Sequence, residues 1–481
     1  MPHGMRVTMK KWIFRVLRAA KWLAVGIAVL AVLVVSCWYF LPDETLLPGA
    51  TALLNKKPPV PLDNNAFYPL LGLTASPTLN PTEVGQHAAK MLESAFQDGR
   101  LTAKSDLDSL LGSDPFKRRS PQTSYCRKAS ETPSCVDAYL SHRVAIEAQL
   151  QSAAVFIQRY RTLRMLPYYE ESTVSLLDTY DLGALFEIAE LVDAKIALDM
   201  VNPALREAAL GELHLEILFT QRILRQSEFL LTQQVYLGLL RKKYRLMAEL
   251  LARYPEIARA HSRVVADITQ PLKPADAQLM RVMEGEFRLG AKAENTNRIM
   301  FAQAAGKPDA TAAGNWWRST TWRLLYKPNA TINMLYRARM KDGDFYSLSA
   351  AAILSTLVKK AGQPVQRDFV FHPLDPRWIL YNPMGKVTAS VIGQSQFQPY
   401  SDRLNDVLAY SRSLELQRQI AVGRIPPDQI ADFLAKANPG LADPYTEKPM
   451  QYDAARHTLT FTAKSPRTVE TGTDTILLVK M

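Results

Sequence analysis

Acid–base or metal chemistry needs histidines and carboxylates held close together, and the sequence offers two groupings to test. Seven histidines occur in 481 residues, and no two of them are spaced to share a metal. The tightest cluster is Glu212, His214 and Glu216. In a helix the two glutamates, four apart, share a face, while His214 lies about 200° round from Glu212. A metal-bearing helical bundle needs Glu and His three residues apart, and needs that pair repeated. The cluster therefore reads as a partly buried polar face. Glu187, Glu190 and Asp193 fall near one face of a second predicted helix. An amphipathic helix turns such a stripe toward water, and Lys195 is placed to neutralise part of it. No G-x-S-x-G elbow or H-E-x-x-H pair occurs, and Pro383–Thr388 lacks the upstream Gly and adjacent hydroxyl of a phosphate cradle. No catalytic residue, metal ligand or cofactor is assigned.

One segment has the composition of a binding surface. Trp316, Trp317, Arg318, Trp322 and Arg323 interleave rings with cations, and Tyr326, Lys327, Tyr336, Arg337 and Arg339 continue the pattern. Three of the seven tryptophans are here, a mixture suited to lipid headgroups, glycan stacking or a protein interface. The competing reading is core aromatics with solvated arginines. A second chemical feature is the cysteine pair Cys126 and Cys135, separated by eight residues of Ser/Thr/Pro-containing loop. In an oxidising compartment so close a pair predicts a local disulfide. The spacing is too wide for a C-x-x-C redox pair, and no further Cys completes a zinc site.

Three short resemblances bear on function. Glu93-Ser94-Ala95-Phe96 resembles the E-S-x-F opening of the lytic transglycosylase active-site helix, where the Glu is the acid. Those enzymes continue with a Gly-Leu-Met-Gln segment, and Gln97–Thr102 has nothing comparable, so no sugar cleft is expected. Val34-Val35-Ser36-Cys37 is similar to the acylation signal of bacterial lipoproteins, which turn polar after the Cys; here Trp38-Tyr39-Phe40-Leu41 follows. Asp443–Tyr452 resembles the D-P-[WFY]-x-x-P-x-x-Y ending of pseudopilin globular domains in type II secretion, with one extra residue before the second Pro. The likeness implies a turn leading into a hairpin, without the pseudopilin Glu near the start of the apolar helix.

The elements that must position these groups are mostly helical. Apolar residues recur at three- and four-residue spacing from about Pro81 onward. Runs are predicted over Thr82–Phe96, Cys135–Leu166, Leu182–Met200, from Asn202-Pro203 to about Ala252, to about Ile268, Asp276–Phe301, Tyr346–Ala361, Pro399–Val422 and Pro427–Ala437. Trp378–Tyr381 reads as a short strand. Near the C-terminus Pro449–Asp453, His457–Thr462 and Thr475–Val479 alternate as short strands, with a turn at Asp453–Arg456.

The strongest single signal is Trp22–Leu41, twenty residues without a charge, long enough for a hydrocarbon core of about 30 Å. Arg6, Lys10, Lys11, Arg15, Arg18 and Lys21 precede it with no acid among them, which predicts a cytoplasmic N-terminus and an exported remainder. These six account for half of the +12 net charge. Of 58 basic residues they leave 52 against 46 acidic ones, too even and spread for a nucleic-acid partner. The expected architecture is mainly α: a basic segment (1–21), a transmembrane helix (22–41), a Pro-rich extended stalk (42–83) with apolar residues 65–73 docked on the body, a helical domain (84–303), a mixed, mainly helical region (304–440) and a β hairpin element (441–481). The expected role is that of a single-pass inner-membrane protein of a diderm bacterium, mostly periplasmic, assembling with an envelope partner. An envelope enzyme acting on cell wall or lipid is the alternative.

Overall fold

The computed structural model describes residues 3–56, 62–97, 125–126, 134–171, 182–273, 276, 279–305, 324–360, 378, 380–393, 397–461, 463–464 and 479–480. They are mainly helical, in two compact units. Both units are discontinuous in sequence, unlike the consecutive segments expected. Unit 1 comprises Met1–Leu54, Asn297–Ala338 and Gln366–Ser395; unit 2 comprises Asn55–Thr296, Arg339–Val365 and Gln396–Met481.

Unit 1 begins with α1 (His3–Phe40), in which Arg15–Phe40 is long and apolar enough to cross a membrane, and no residue of its apolar window is buried. At 1.5 Å per residue these 26 residues extend about 39 Å. After it come α2 (Pro48–Leu54), the first part of α14 (Pro328–Tyr346) and α16 (Pro383–Gly393).

Unit 2 holds the main core. In it lie α3 (Phe67–Leu71), α4 (Pro81–Gln97), α5 (Cys135–Ser141), α6 (Arg143–Ser152), α7 (Ala154–Arg164), α8 (Leu182–Asp199), α9 (Arg206–Gln226), α10 (Leu230–Arg253), α11 (Ile257–Ala260), α12 (Ser262–Thr269), most of α13 (Met280–Ala305), α15 (Ala350–Lys360), α17 (Gln398–Gly423) and α18 (Ile430–Lys436). Helix α8 is apolar nearly all round, so it lies at the centre, against α5, α6, α7, α9 and α10. Helix α17 packs on α10 and α12. The strands β1 (Gln451–Asp453), β2 (Thr458–Thr460) and β3 (Val479–Lys480) form a small antiparallel sheet in the order β1-β2-β3.

Several expected elements take a different form. The single run from Cys135 to Leu166 is three helices, interrupted at His142 and Ala153. At each interruption a serine hydroxyl, Ser141 or Ser152, bonds back to the carbonyl three residues earlier, competing with the helical ladder. The long helix from Asn202 is divided by Ser227–Phe229 into α9 and α10, while Asn202 caps its start as predicted by accepting the Ala204 N–H. Trp378 and Leu380 are helical, not extended.

The extended stalk is also corrected. Pro48 and Pro81 each open a helix, where the missing N–H costs nothing, and Pro69 lies within the first turn of α3, so these prolines stand in helices and not in extended chain. Residues 65–73 are buried on the body of unit 2, as their apolar character predicts. The Ala66 N–H donates to the Tyr168 carbonyl, and the Asn65 amide both donates to and accepts from the Glu170 backbone at 2.7 and 2.9 Å. Just beyond, α3 and α4 cross closely. A Cβ on Gly85 would overlap the Tyr68 carbonyl, and one on Gly72 the Pro81 carbonyl.

Candidate functional site

The residues that follow the apolar helix are bound tightly into unit 1, and the sequence explains why. A helix leaves its last four carbonyls without partners. The carbonyl of Trp38 would ordinarily accept from residue 42, but residue 42 is proline and has no N–H. Lys327 fills the gap, its ammonium donating to Trp38 O at 3.2 Å and placing a cation at the negative end of the helix dipole. The Tyr381 hydroxyl donates to the carbonyl of Pro42 at 3.1 Å.

The next residue, Asp43, stands at the N-terminus of α14 and fills the role of a cap contributed from elsewhere in the chain. Its carboxylate accepts the N–H groups of Asn329 (2.9 Å) and Ala330 (3.0 Å), orphan donors of the first turn. Asn329 and Asn333, four residues apart and so on one face of α14, then read the backbone beyond it. Asn329 donates to Glu44 O; Asn333 donates to Thr45 O and the Glu44 carboxylate and accepts the Leu47 N–H. Gly49 lets α2 meet the Tyr336 ring where any Cβ would collide with it.

Asn382 closes this collar with φ of 51°, a left-handed conformation that Asn tolerates better than most residues. Its side chain accepts the Lys327 and Gly385 N–H groups and donates to the Thr331 hydroxyl. The first turns of α14 and α16 are thereby locked together.

Of the predicted binding segment, Trp316, Trp317, Arg318, Trp322 and Arg323 lie outside the described residues. The described remainder is structural. Tyr326 is buried, Lys327 and Tyr336 serve the collar, Arg337 stands 3.9 Å from Glu44, and Arg339 lies over the Phe397 ring at 4.8 Å in unit 2.

In unit 2 the two acidic groupings converge on one buried network. Lys243 on α10, wholly buried, reaches Asp193 at 2.8 Å and Glu216 at 2.7 Å. Glu216 also pairs with Arg164 and accepts the Tyr160 hydroxyl, while Glu212 binds Arg161 and Arg164 at 2.9 and 3.0 Å. The outward-facing stripe expected on α8 is thus corrected: Glu190 and Asp193 face inward, because the helix is surrounded. Lys195 pairs with Asp199 at 2.7 Å instead of with the stripe. Burial pushes the Asp193 carboxyl up to about 6 despite Lys243. Burial would also raise Glu216, but Lys243 and Arg164 outweigh it and hold that carboxyl below its ordinary range. Burial alone would lower Lys243; its two carboxylates raise it instead. The three form a charged, mutually satisfied cluster at neutral pH.

A second buried carboxylate behaves differently. Glu171 accepts the Tyr169 hydroxyl at 2.8 Å and the Thr232 hydroxyl, with no cation paired to it among the described residues, and burial pushes it up to about 7. Its neighbour Glu228 is matched by Lys56 at 3.0 Å, Arg281 at 3.6 Å and Arg288. Among the described residues no three His, Cys, Asp or Glu side chains are arranged to hold a metal ion. Glu93 is exposed on α4.

Cys126 and Cys135 stand at disulfide distance, with Cα atoms 4.8 Å apart, both buried in the core. The loop they close is seated by two glutamates. Glu190 accepts the Cys126 N–H at 2.8 Å, and Glu249 accepts the Val136 N–H and the hydroxyl of Ser134, the cap of α5. Sequence reasoning missed these acceptor roles, since nothing local to Glu190 or Glu249 points to them. The pseudopilin-like turn takes the predicted form. Asp443 accepts the Tyr445 N–H, Glu447 adopts a φ of 56°, and the buried Tyr445 hydroxyl donates to Asp406 at 2.7 Å.

No family model, curated protein or solved structure matches the chain.

Proposed function

We propose that this chain is a single-pass membrane protein that presents a helical domain at the extracytoplasmic face of a bacterial inner membrane. There it assembles with an envelope partner and performs no catalysis of its own. The observation that carries the reading is the exit of α1. An apolar helix of membrane-spanning length, none of whose residues in the apolar window is buried, ends in a collar where Lys327, Tyr381, Asn329, Asn333 and the α14 N-terminus hold Trp38, Pro42, Asp43, Glu44, Thr45 and Leu47. Such bonding suits a protein whose position relative to the bilayer matters.

Two further facts support it. Six cations without an acid precede the span, the arrangement that keeps an N-terminus in the cytoplasm. An exported domain then lies in an oxidising compartment, where Cys126 and Cys135 form a stable bond. In unit 2 the buried Asp193, Glu216, Glu171 and Glu228 are matched by hydrogen bonds or cations from their own unit, which suits a scaffold better than a reaction centre. The Trp316–Arg323 segment is the surface proposed for the partner.

Crosslinking in intact cells, followed by purification in mild detergent, tests this. A stoichiometric envelope protein is expected to be captured, and to be lost when Trp316, Trp317 and Trp322 become Ala. A triple variant that keeps every partner overturns the assignment of that segment.

A further inference from the structure

Helix α9 turns only one side to the core of unit 2. Leu213, Ile217 and Thr220 are buried, while the opposite side carries Gly211, Leu215, Leu218, Arg222 and Arg225. Spacing of four, three, four and three makes the seam against which a second helix packs. Leu215 and Leu218, 40% and 37% exposed, are neighbours one turn apart, and Met165 at the end of α7 adjoins the same face, 69% exposed. Arg222 fixes the place of Met165 by donating to the carbonyls on either side of it, those of Arg164 and Leu166. A lone exposed apolar residue is ordinary; three on one face mark a contact surface. Gly211 points the same way. A glycine inside a helix is destabilising relative to alanine, yet a Cβ there would meet nothing within 4 Å. No neighbour among the described residues requires it, and a close approach from outside the chain does.

We propose that this face of α9 binds the same face of a second copy of the chain, antiparallel, about a two-fold axis level with Glu216 and Ile217. The charges along the helix select that occupant. Glu207, exposed and without a partner among the described residues, stands at the N-terminal end of the seam, and Arg222 and Arg225 stand at its C-terminal end. Glu207 and Arg225 are about five whole turns apart and so share a side. Arg225 comes no closer than 3.7 Å to Asp276 and stays 44% exposed. Antiparallel alignment sets Leu215 of each copy against Leu218 of the other, and Glu207 against Arg225 at both ends. Arg222, with Met165 beside it, meets the gap left by Gly211. A parallel pair would instead set Glu207 on Glu207 and Arg225 on Arg225, which like-charge repulsion disfavours. The face is thus complementary to itself, apolar at the centre and opposite in charge at its ends, as a two-fold interface requires. Neither the membrane reading of α1 nor the Trp316–Arg323 segment enters into it.

Light scattering of the full chain during size-exclusion chromatography in mild detergent, over a range of concentrations, tests the proposal. A dimer is expected. Leu218→Glu should weaken it at least tenfold, as should Glu207→Arg, while Glu207→Arg combined with Arg225→Glu should restore the parent affinity. Each variant is read once its melting temperature matches the parent. Arg225→Glu stands beside Asp276, so a second measurement covers the case where the double variant unfolds early. In a Cys37→Ser background with the Cys126–Cys135 bond oxidised, a short bismaleimide is expected to link two copies through Leu215→Cys, and to fail when Leu218→Glu is added. A monomer at every concentration, a dimer indifferent to Leu218→Glu, or a different protein held stoichiometrically on this face overturns the proposal.

Discussion

Single side chains carry two opposite solutions to the burial of charge, and they predict different responses. Lys243 satisfies two carboxylates at once, so removing it leaves both uncompensated in the core. Lys243→Met should destabilise by about 3–5 kcal/mol. Replacing Lys243, Asp193 and Glu216 together by apolar residues of similar volume should cost far less. Denaturant unfolding of the two variants distinguishes these outcomes, and equal losses would show that the cluster contributes through shape alone. Glu171 is the reverse case, a carboxyl whose folded state favours the proton. Its raised value means the folded protein binds that proton more tightly than the unfolded chain, so its contribution to stability is present at acid pH and is lost as pH rises from about 4.5 through about 7. Over that window the loss is about 3 kcal/mol. Glu171→Gln should flatten it, matching the parent near pH 4.5 and exceeding it in stability at pH 8. A variant that parallels the parent across that range would show that Glu171 titrates normally.

Elements were legible to the extent that their signals were local. The apolar run of α1, the Asn202-Pro203 start and the Asp453–Arg456 turn depend on adjacent residues, and each took the predicted form. The turn at Asp453 does so because its carboxylate accepts the Ala455 and Arg456 N–H groups. The collar was not legible, because its partners are nearly 300 residues apart: Asp43 caps a helix that starts at Pro328, and Pro42 creates a need that Lys327 fills. The prolines of 42–83 were misread for a related reason, since a proline that opens a helix and one that extends a chain look alike without the tertiary context. Two predictions belong here. Asn333→Asp keeps the acceptor for the Leu47 N–H but loses both donors and sets a second acid beside Glu44. It should therefore lower the unfolding temperature in detergent more than Asn333→Ala, which loses about 1–3 kcal/mol; the reverse order would contradict the assigned bonds. Opening the Cys126–Cys135 bond with a double Ser substitution should cost about 2–3 kcal/mol, read by the shift in denaturation midpoint, while an unchanged midpoint would argue that the bond is not formed in the native protein.

At the scale of the whole molecule, the recurrent device is a polar side chain that reaches a distant backbone. Asp43 and Asn333 do this in unit 1, and Glu190 and Glu249 in unit 2. Each unit is assembled from segments far apart in sequence, and these bonds hold the segments together where apolar packing alone would leave their register open. What the proposed role depends on is that α1 anchors the chain in a membrane with the bulk of it exported. The most direct measurement joins alkaline phosphatase, active only outside the cytoplasm, to the C-terminus after Met481, and follows the fusion through carbonate extraction of the membranes. A membrane-retained, active fusion is the predicted result. An inactive fusion, or one released into the carbonate supernatant, would contradict the account at its base.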